Sequence, residues 1–542
     1  MTSLARYWHT LRYLRPVQIY GRLWFRLARP RPDLGAAPSL RRPTAAWVPC
    51  ARAPSMTGAN RFQFLNVERT LASATDWNNV AWSKLWLYNA HYFDDLVAIN
   101  FLQRADWHHA LLARWVAENP PANGNGWEPY PTSLRIVNWV KWALAGNVLD
   151  DAVHQSLAVQ ARWLRARLEI HLQGNHLWAN AKALVFAGSI FDGAEADVWR
   201  AKGLALLQHA LIEQILPDGG HFERSPMYHA IVLEDMLDLV QLAAIHRGLF
   251  AVDHVSQWQK ISLKMLRWLR VMSHPDGGIA LFNDAALGIA PDIAALTNYA
   301  VALGLTVDQM PLADIEPLAD SGYVRLQTAS AVLIADVGEI GPTYLPGHAH
   351  ADTLSFELSL QGQRVLVNGG TSTYEASAER TRQRGTAMHN TVVVDGVDSS
   401  EVWSSFRVAR RAQPLAVRWG RDAQALWIEA GHDGYLRLPG KVIHRRRWML
   451  ETNRLHVADE VSGRFVKATA YFRFAPASLL NVSSADTGIV ILNESKILWK
   501  NTGQTNMDVR LGTWHPRFGV NKDCRVLVVT FSGEKLETEF SW

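Results

Sequence analysis

Gly347-His348-Ala349-His350-Ala351-Asp352-Thr353-Leu354-Ser355-Phe356-Glu357-Leu358 is the stretch on which the fold turns. Leu354, Phe356 and Leu358 alternate with polar residues, the period-two signature of a strand with a buried face. Residues two apart share a face, so His348 and His350 are expected side by side at the strand mouth, with alanines leaving room. Two imidazoles so placed can share a metal and a substrate, or serve as base and ligand. An isolated His-x-His pair is more often only a His-rich strand entry. Here the pair has company. Met388-His389-Asn390-Thr391 opens another apolar run, Val392-Val393-Val394, and Asn368-Gly369-Gly370-Thr371 follows Val365-Leu366-Val367 between them.

Working outward, alternating segments dominate after about residue 320. They fall at 322–327, 330–336, 353–360, 363–368, 391–395, 425–429, 441–450, 454–460, 467–474 and 524–531, and Gln361-Gly362 reads as a hairpin turn. Before them, from about 80 to 310, apolar residues recur at helical spacing in 132–148, 151–172, 196–215, 227–247 and 256–272. Short Gly/Pro loops separate these helices, including Pro217-Asp218-Gly219-Gly220 and Pro275-Asp276-Gly277-Gly278. Helix pairs joined this way make a solenoid or a closed α/α toroid. Many short strands with turn signals make an antiparallel sandwich. The pattern predicts a multidomain α and β chain: an N-terminal basic, aromatic segment and Pro-rich linker (1–79), an incomplete α/α toroid (80–315) and an antiparallel β-sandwich (316–542). A two-domain body of this kind places its ligand at the interdomain cleft.

Bulk properties agree with a large globular protein. The chain has 542 residues, enough for roughly two to four domains. Its 23 tryptophans suit a large helical core, or flat faces that meet a sugar. A net charge of +5 favours an anionic partner. That partner is a polyanionic sugar or a nucleic acid, and no nucleic-acid-binding fingerprint or dense Lys/Arg helix is present. Cys50 and Cys524 are too far apart in sequence for metal spacing and read as free thiols. No apolar run is long enough to span a bilayer. Residues 1–30 carry Arg6, Arg12, Arg15, Arg22, Arg26 and Arg29 without an uninterrupted apolar core, so they do not read as a secretory signal. This helix is expected to pack on the body of the protein, with a peripheral contact by Trp8, Tyr13, Tyr20 and Trp24 as the alternative.

Three segments of the helical half stand out. In Gln173-Gly174-Asn175-His176, Asn175 reads equally as an N-cap and as an amide aimed into a cleft. In Asp218-Gly219-Gly220-His221-Phe222-Glu223-Arg224-Ser225-Pro226-Met227-Tyr228-His229, Ser225-Pro226 predicts a helix start. Tyr228 then sits in the first turn, where the positive dipole end favours a phenolate. Asn283-Asp284 reads as a loop rim of no assigned role.

The ordered set of GNH (174–176), DGG-x-FE-x-SP-x-YH (218–229), GHAHAD (347–352) and HNTVVVDG (389–396) resembles the heparinase II/III-type polysaccharide lyases. The resemblance spans roughly residues 80 to 450. Leu87-Tyr88-Asn89-Ala90-His91-Tyr92-Phe93 and Gly126-Trp127-Glu128-Pro129-Tyr130-Pro131 look like the version found with bacterial exopolysaccharide or capsule genes. The resemblance implies an α/α toroid with a β-sandwich, and lyase chemistry by β-elimination at uronic acids of an acidic polysaccharide. It implies Asn175 on the uronate carboxylate, Tyr228 as acid, base or both, and His348 as its partner. His176, Glu223, His229, Trp127 and Arg384 are the implied substrate-binding residues. His350, Asn368 and His389 match metal-coordinating positions. Some family members carry Asp where this chain has Asn368, and a neutral amide holds zinc less well. No cofactor is expected to be required, and a structural zinc or calcium ion is expected to bind weakly at most. The resemblance implies the cell envelope or periplasm, the missing signal the cytoplasm. Two other readings stay open. A glycoside hydrolase on the same scaffold would need two carboxylates, for which Asp218, Glu223 and Asp284 are the candidates. A non-catalytic polysaccharide-binding or assembly protein would keep the fold alone.

Overall fold

A computed structural model describes residues 3–493 and 495–542. The first half is helical: α1 (Ser3–Leu11), α2 (Pro16–Leu27), α3 (Lys84–Tyr92), α4 (Ala105–Glu118), α5 (Pro129–Leu144), α6 (Asp151–Ala166), α7 (Gly174–Ile190), α8 (Ala194–Gln214), α9 (Pro226–Ile245), α10 (Val252–Val271) and α11 (Ile293–Ala302). Pairs such as α5 with α7, α7 with α8 and α9 with α10 pack face to face. Much of the tryptophan complement goes into this packing: Trp77, Trp86, Trp115, Trp139, Trp142, Trp178, Trp199, Trp258 and Trp268 are fully buried.

The expected linker is partly a clamp. Residues 30–54 hold no helix and no strand beyond an isolated bridge at Leu40. Their backbone amides instead cap helix ends: Arg41 donates to Ile190, Thr44 to Ile245 and Trp47 to Leu144, the last residues of α7, α9 and α5. Carbonyls at a helix C-terminus lack intrahelical partners, so this stretch satisfies groups that water would otherwise have to reach. The linker also ends earlier than its composition suggests, because Met56–Gly58, Arg61–Phe64 and Val67–Thr70 form a three-stranded sheet. Phe62 and Phe64 from it join the helical core.

From Ile315 the chain is antiparallel sheet. A five-stranded sheet takes Ile315–Leu318, Tyr323–Gln327, Ala331–Asp336, Phe356–Leu360 and Gln363–Leu366 in sequence order. An eight-stranded and a four-stranded sheet follow, and all three sheets contribute to one buried apolar core, from Leu333 and Phe356 through Trp448 to Phe472 and Leu527. One further helix, α12 (Ala378–Arg384), interrupts this half.

Buried polar contacts bind the two halves. His274 of the helical half meets Glu357 (2.8 Å) and Ser359 (2.8 Å), and Arg364 pairs with Asp276 (2.8 Å). The loop after α10 is therefore bonded to the sheet that follows the His-x-His segment.

Candidate active site

Between the halves lies a cleft of about 1920 Å³, larger than a small-molecule pocket and suited to a polymer. Helices α5, α7 and α9 form one wall; His348, Tyr374 and Phe406 stand on the other.

Asn175 reaches this cleft, but not as a cap. Helix α7 starts at Gly174, and the N-cap is Gln173, which has a left-handed backbone (φ 60°). Asn175 lies one position inside the helix and is half-buried on the cleft wall. Tyr228 arrives as its local sequence dictates. Ser225 caps α9 by accepting from the Tyr228 amide (3.3 Å), and Pro226 takes the first helical position. The phenolate expectation fails, however. Burial, the neighbouring Tyr374 and the Asp284 charge push the Tyr228 hydroxyl well above the ordinary phenol range. Desolvation outweighs the helix dipole here, so Tyr228 rests as a neutral hydroxyl. Its oxygen lies 3.1 Å from that of Tyr374, and its ring centroid lies 4.1 Å from that of His348.

His348 and His350 do not stand at a strand mouth. The strand begins only at Phe356, because Leu354 takes a left-handed backbone (φ 64°) and the Asp352 carbonyl closes a turn with the Ser355 amide. The preceding segment is held by other groups: the Asn283 carboxamide accepts from the His350 amide (3.0 Å), and the Ala351 amide donates to the Arg384 carbonyl (2.9 Å).

The hub is Asp284, which sequence reasoning weighed only as a hydrolase carboxylate. It is fully buried, and burial alone would raise its pKa. Arg380 and the two histidines override this and hold it well below the usual carboxylate range. One oxygen takes His348 Nδ1 (2.9 Å) and Arg380 (2.6 Å); the other takes His350 Nε2 (2.8 Å), Thr371 (3.3 Å) and a second Arg380 nitrogen. Its backbone carbonyl accepts from the Ser225 hydroxyl (2.6 Å), which ties the hub to the Tyr228 helix. An ionised carboxylate only accepts hydrogen bonds. The imidazole nitrogens that face it must therefore be the protonated ones. When the rings are neutral, His348 keeps its Nε2 lone pair and His350 its Nδ1 lone pair. The His348 side chain is 16% exposed and lines the cleft, whereas that of His350 is 0% exposed.

Behind the hub, His350, Asp352 and His389 bring one ligand atom each to within 4.8 Å of one another. His350 Nδ1 and both ring nitrogens of His389 lack hydrogen-bond partners. Burial holds His350 neutral, with its pKa lowered to about 4, and holds the His389 pKa well below the ordinary imidazole value. Asp352 was missed by sequence reasoning, which offered Asn368 instead. The Asn368 oxygen takes a long bond from the Asn390 amide (3.4 Å), and its side-chain nitrogen has no partner.

The expected substrate-binding set divides. Glu223 lies in the cleft wall with neither carboxylate oxygen hydrogen-bonded, and burial raises its pKa. His176 also lines the cleft, 3.2 Å from Glu169 and with its ring tilted against that of Tyr130 (4.6 Å). Trp127, His229 and Arg384 are not cleft residues. Trp127 is in the helical core, donating to the Asn119 carbonyl (3.1 Å). His229 is buried against Trp268 (4.2 Å) with its Nε2 on the Met265 carbonyl (2.9 Å). Arg384 is buried and braces the His348–His350 segment through the Ala349 carbonyl (2.8 Å). Period and spacing could not separate these buried polar groups from cleft residues, since both occupy element ends. Of the hydrolase candidates, Asp218 is consumed by Ser321 (2.7 and 2.8 Å) and Gly220 (2.9 Å), and Asp284 by its hub. Only Glu223 of the three faces the cleft.

Comparison with known proteins agrees with this architecture. The chain matches the family models "Heparinase II/III N-terminus" over residues 104–303 and "Heparinase II/III-like, C-terminal" over residues 310–542. A heparin-sulfate lyase of Bacteroides stercoris is 25% identical over 243 residues, 41% of this chain and 36% of that lyase, so the match spans well under half of the relative. FtsZ-localized protein C of Caulobacter vibrioides is also 25% identical, over 77% of this chain and 74% of its own length. Among solved structures, a heparinase III superposes with a TM-score of 0.68 at 17% identity, covering 88% of this chain and 79% of that one. Heparan sulfate lyase HepC from Pedobacter heparinus gives a TM-score of 0.58 at 16% identity, covering 97% and 87%. These likenesses show the fold, a helical toroid with a β domain.

Proposed function

This chain belongs to the heparinase II/III-like family, and from that premise we propose that it is a polysaccharide lyase acting on a uronic-acid-containing acidic polysaccharide by β-elimination. The observation that carries the reading is the convergence of Asn175, Tyr228 and an Asp284-oriented His348 on one interdomain cleft. In this reading the sheets of the β domain stack as a sandwich that presents His348 to the toroid.

The reaction must break a C5–H bond beside a carboxylate, whose charge makes that proton a poor acid. It then expels the C4 oxygen and leaves a C4–C5 double bond. Asn175 donates to the uronate carboxylate, and Glu223, pushed toward its protonated form, adds a second donor; together they stabilise the charge that builds as the proton leaves. His348 Nε2 carries the lone pair that takes the C5 proton, and Asp284 stabilises the imidazolium that results. Tyr228 is neutral and therefore the donor to the departing glycosidic oxygen.

The buried trio behind the hub fits a divalent ion such as zinc. Two neutral imidazoles and one carboxylate form the donor set, and His350 Nδ1 and both His389 ring nitrogens are otherwise orphaned. Asp352 brings the negative charge that Asn368 lacks. Burial raises its pKa to about 6, so ion binding would release a proton on acidic titration. Such an ion would brace the His350 segment and shape the back of the site; no proton transfer is assigned to it.

The alternative is a non-catalytic assembly role. It is favoured by the relative named for FtsZ localisation, whose match spans more of this chain than the lyase match does. One experiment separates the two. Purified protein is incubated with a panel of uronic-acid polymers, and ultraviolet absorbance from the new double bond is followed. Absorbance that grows with the intact chain and not with Tyr228→Phe supports the lyase. Binding to a polymer without absorbance supports the assembly role.

A further inference from the structure

The two N-terminal helices wear their apolar residues on the outside. In α1, Leu4, Tyr7, Trp8 and Leu11 recur at three- and four-residue spacing; in α2, Ile19, Tyr20, Leu23, Trp24 and Leu27 do the same. All nine are exposed, and Leu4, Trp8, Trp24 and Leu27 lie between 65% and 79%. A helix that packs on a globular body turns its apolar stripe inward. Here the docking faces are different. Helix α2 is seated through Gln18, which donates to the Tyr344 carbonyl (3.2 Å), through Gly21 against His171, and through Phe25, whose ring lies 4.5 Å from that of His171. Helix α1 is seated on the β domain through Tyr7 and Thr10, both on Trp403. Apart from Tyr7, the stripes are left over, and together they far exceed the singly scattered apolar residues that any surface shows.

Charge says what covers them. Residues 1–32 contain seven arginines and no acidic residue, while the whole chain carries only +5, so the rest is slightly acidic. Arg15 is engaged with Glu213, but Arg6, Arg12, Arg22, Arg26 and Arg29 are exposed beside the stripes. A second copy of this face would be repelled by its own charge. Aromatic and aliphatic residues flanked by arginine are the composition of a helix that lies in a lipid interface. No helix among the described residues is long and apolar enough to cross a membrane.

We propose that α1 and α2 form a docking face for an anionic phospholipid bilayer, with Trp8, Leu23, Trp24 and Leu27 sunk at the acyl boundary and the arginines on lipid phosphates. Tyr7, Leu11 and Arg22 of the same helices reach the rim of the interdomain cleft. Docking would thus set the cleft mouth beside the lipid surface. This holds whether or not the chain is a lyase.

The test is co-sedimentation of the full chain with phosphatidylglycerol vesicles and with phosphatidylcholine vesicles. Expected are binding to the former, about tenfold or weaker binding to the latter, and weakening by salt. The triple variant Trp8→Gln, Leu23→Gln, Trp24→Gln, all at exposed positions, should keep its circular dichroism and lose at least about tenfold in vesicle binding. Arg6→Gln with Arg26→Gln should weaken only the phosphatidylglycerol binding. The proposal is overturned if the intact chain ignores phosphatidylglycerol vesicles or if the folded triple variant binds them equally. It is also overturned if the stripes instead drive lipid-free oligomerisation that the triple variant abolishes, which would make a second copy the occupant.

Discussion

His348 and His350 sit two residues apart and address opposite oxygens of one carboxylate, yet the regions they serve differ. His348 faces the cleft, beside the Tyr228 and Tyr374 rings, with its free nitrogen open to a substrate. His350 faces a closed chamber with His389 and Asp352, where its free nitrogen has no protein partner. The same shared anion fixes both tautomers, so the difference lies in what the opposite nitrogen meets. One imidazole is placed to move a proton, the other to be ligated or to remain an unpaired acceptor.

The heaviest blow to this arrangement falls on the shared anion. Asp284→Asn leaves Arg380 buried without its counter-charge and leaves an acceptor oxygen for only one of the two imidazoles, the other meeting an amide donor. Breaking one partner of a buried pair costs about 3–5 kcal/mol, so the urea midpoint should drop strongly. Turnover should fall by about 10³-fold or more, since the His348 tautomer is no longer set. An Asp284→Asn protein with intact turnover would sever the link between the two regions. Next in size comes the cleft side alone. Tyr228→Phe removes the proton donor and keeps the ring against His348, so turnover should fall by about 10²-fold or more. Stability should change by about 1 kcal/mol at most, the worth of one hydroxyl contact with Tyr374.

The division between these regions was only half legible in the sequence. Ser225-Pro226 announced the helix that carries Tyr228, because caps act locally. The change from helical to alternating periodicity falls between α11 and the strand at Ile315, where packing layers change. Local pattern failed wherever a long-range partner decided the outcome. Asn283-Asp284 looked like a rim because nothing nearby in sequence reveals that Arg380, nearly a hundred positions on, neutralises it. Asp352 was passed over beside the histidines for the same reason, since its meeting with His389 depends on how two loops fold together. The left-handed residues Asn283 and Leu354, which bend those loops, are non-glycine positions that composition does not flag. The strands at Pro414–Arg421 and Asn506–Trp514, both largely exposed, were also missed, and so were Ser495–Thr502 and Lys535–Ser541, although their buried positions alternate.

The chamber side predicts a different profile from the cleft side. His350→Ala should lower stability by about 1–3 kcal/mol, through a cavity and a lost bond to Asp284, while His348→Ala should mainly lower turnover. Metal content of the purified protein sharpens the contrast. Zinc that survives dialysis of the parent and is missing from His350→Ala assigns the chamber to an ion. Equal stability losses in the two variants, with equal turnover, would erase the distinction.

The smallest expected effect concerns Glu223, which borders the cleft yet is buried with no hydrogen-bond partner. Burial raises its folded-state pKa above the unfolded value of about 4.3. Below the unfolded value both states are protonated and the residue is neutral toward stability. As pH rises from there, the unfolded state releases the proton first. The folded state binds more protons, so stability falls with pH until the folded group also ionises. Glu223→Gln keeps the shape and removes this decline. The melting-temperature difference between Glu223→Gln and the parent should therefore be small at pH about 4 and grow, in favour of the variant, toward neutral pH. A difference that stays flat across that range would mean that Glu223 is already ionised at rest. The second donor to the substrate carboxylate would then be lost from the mechanism, leaving Asn175 to bear that role alone.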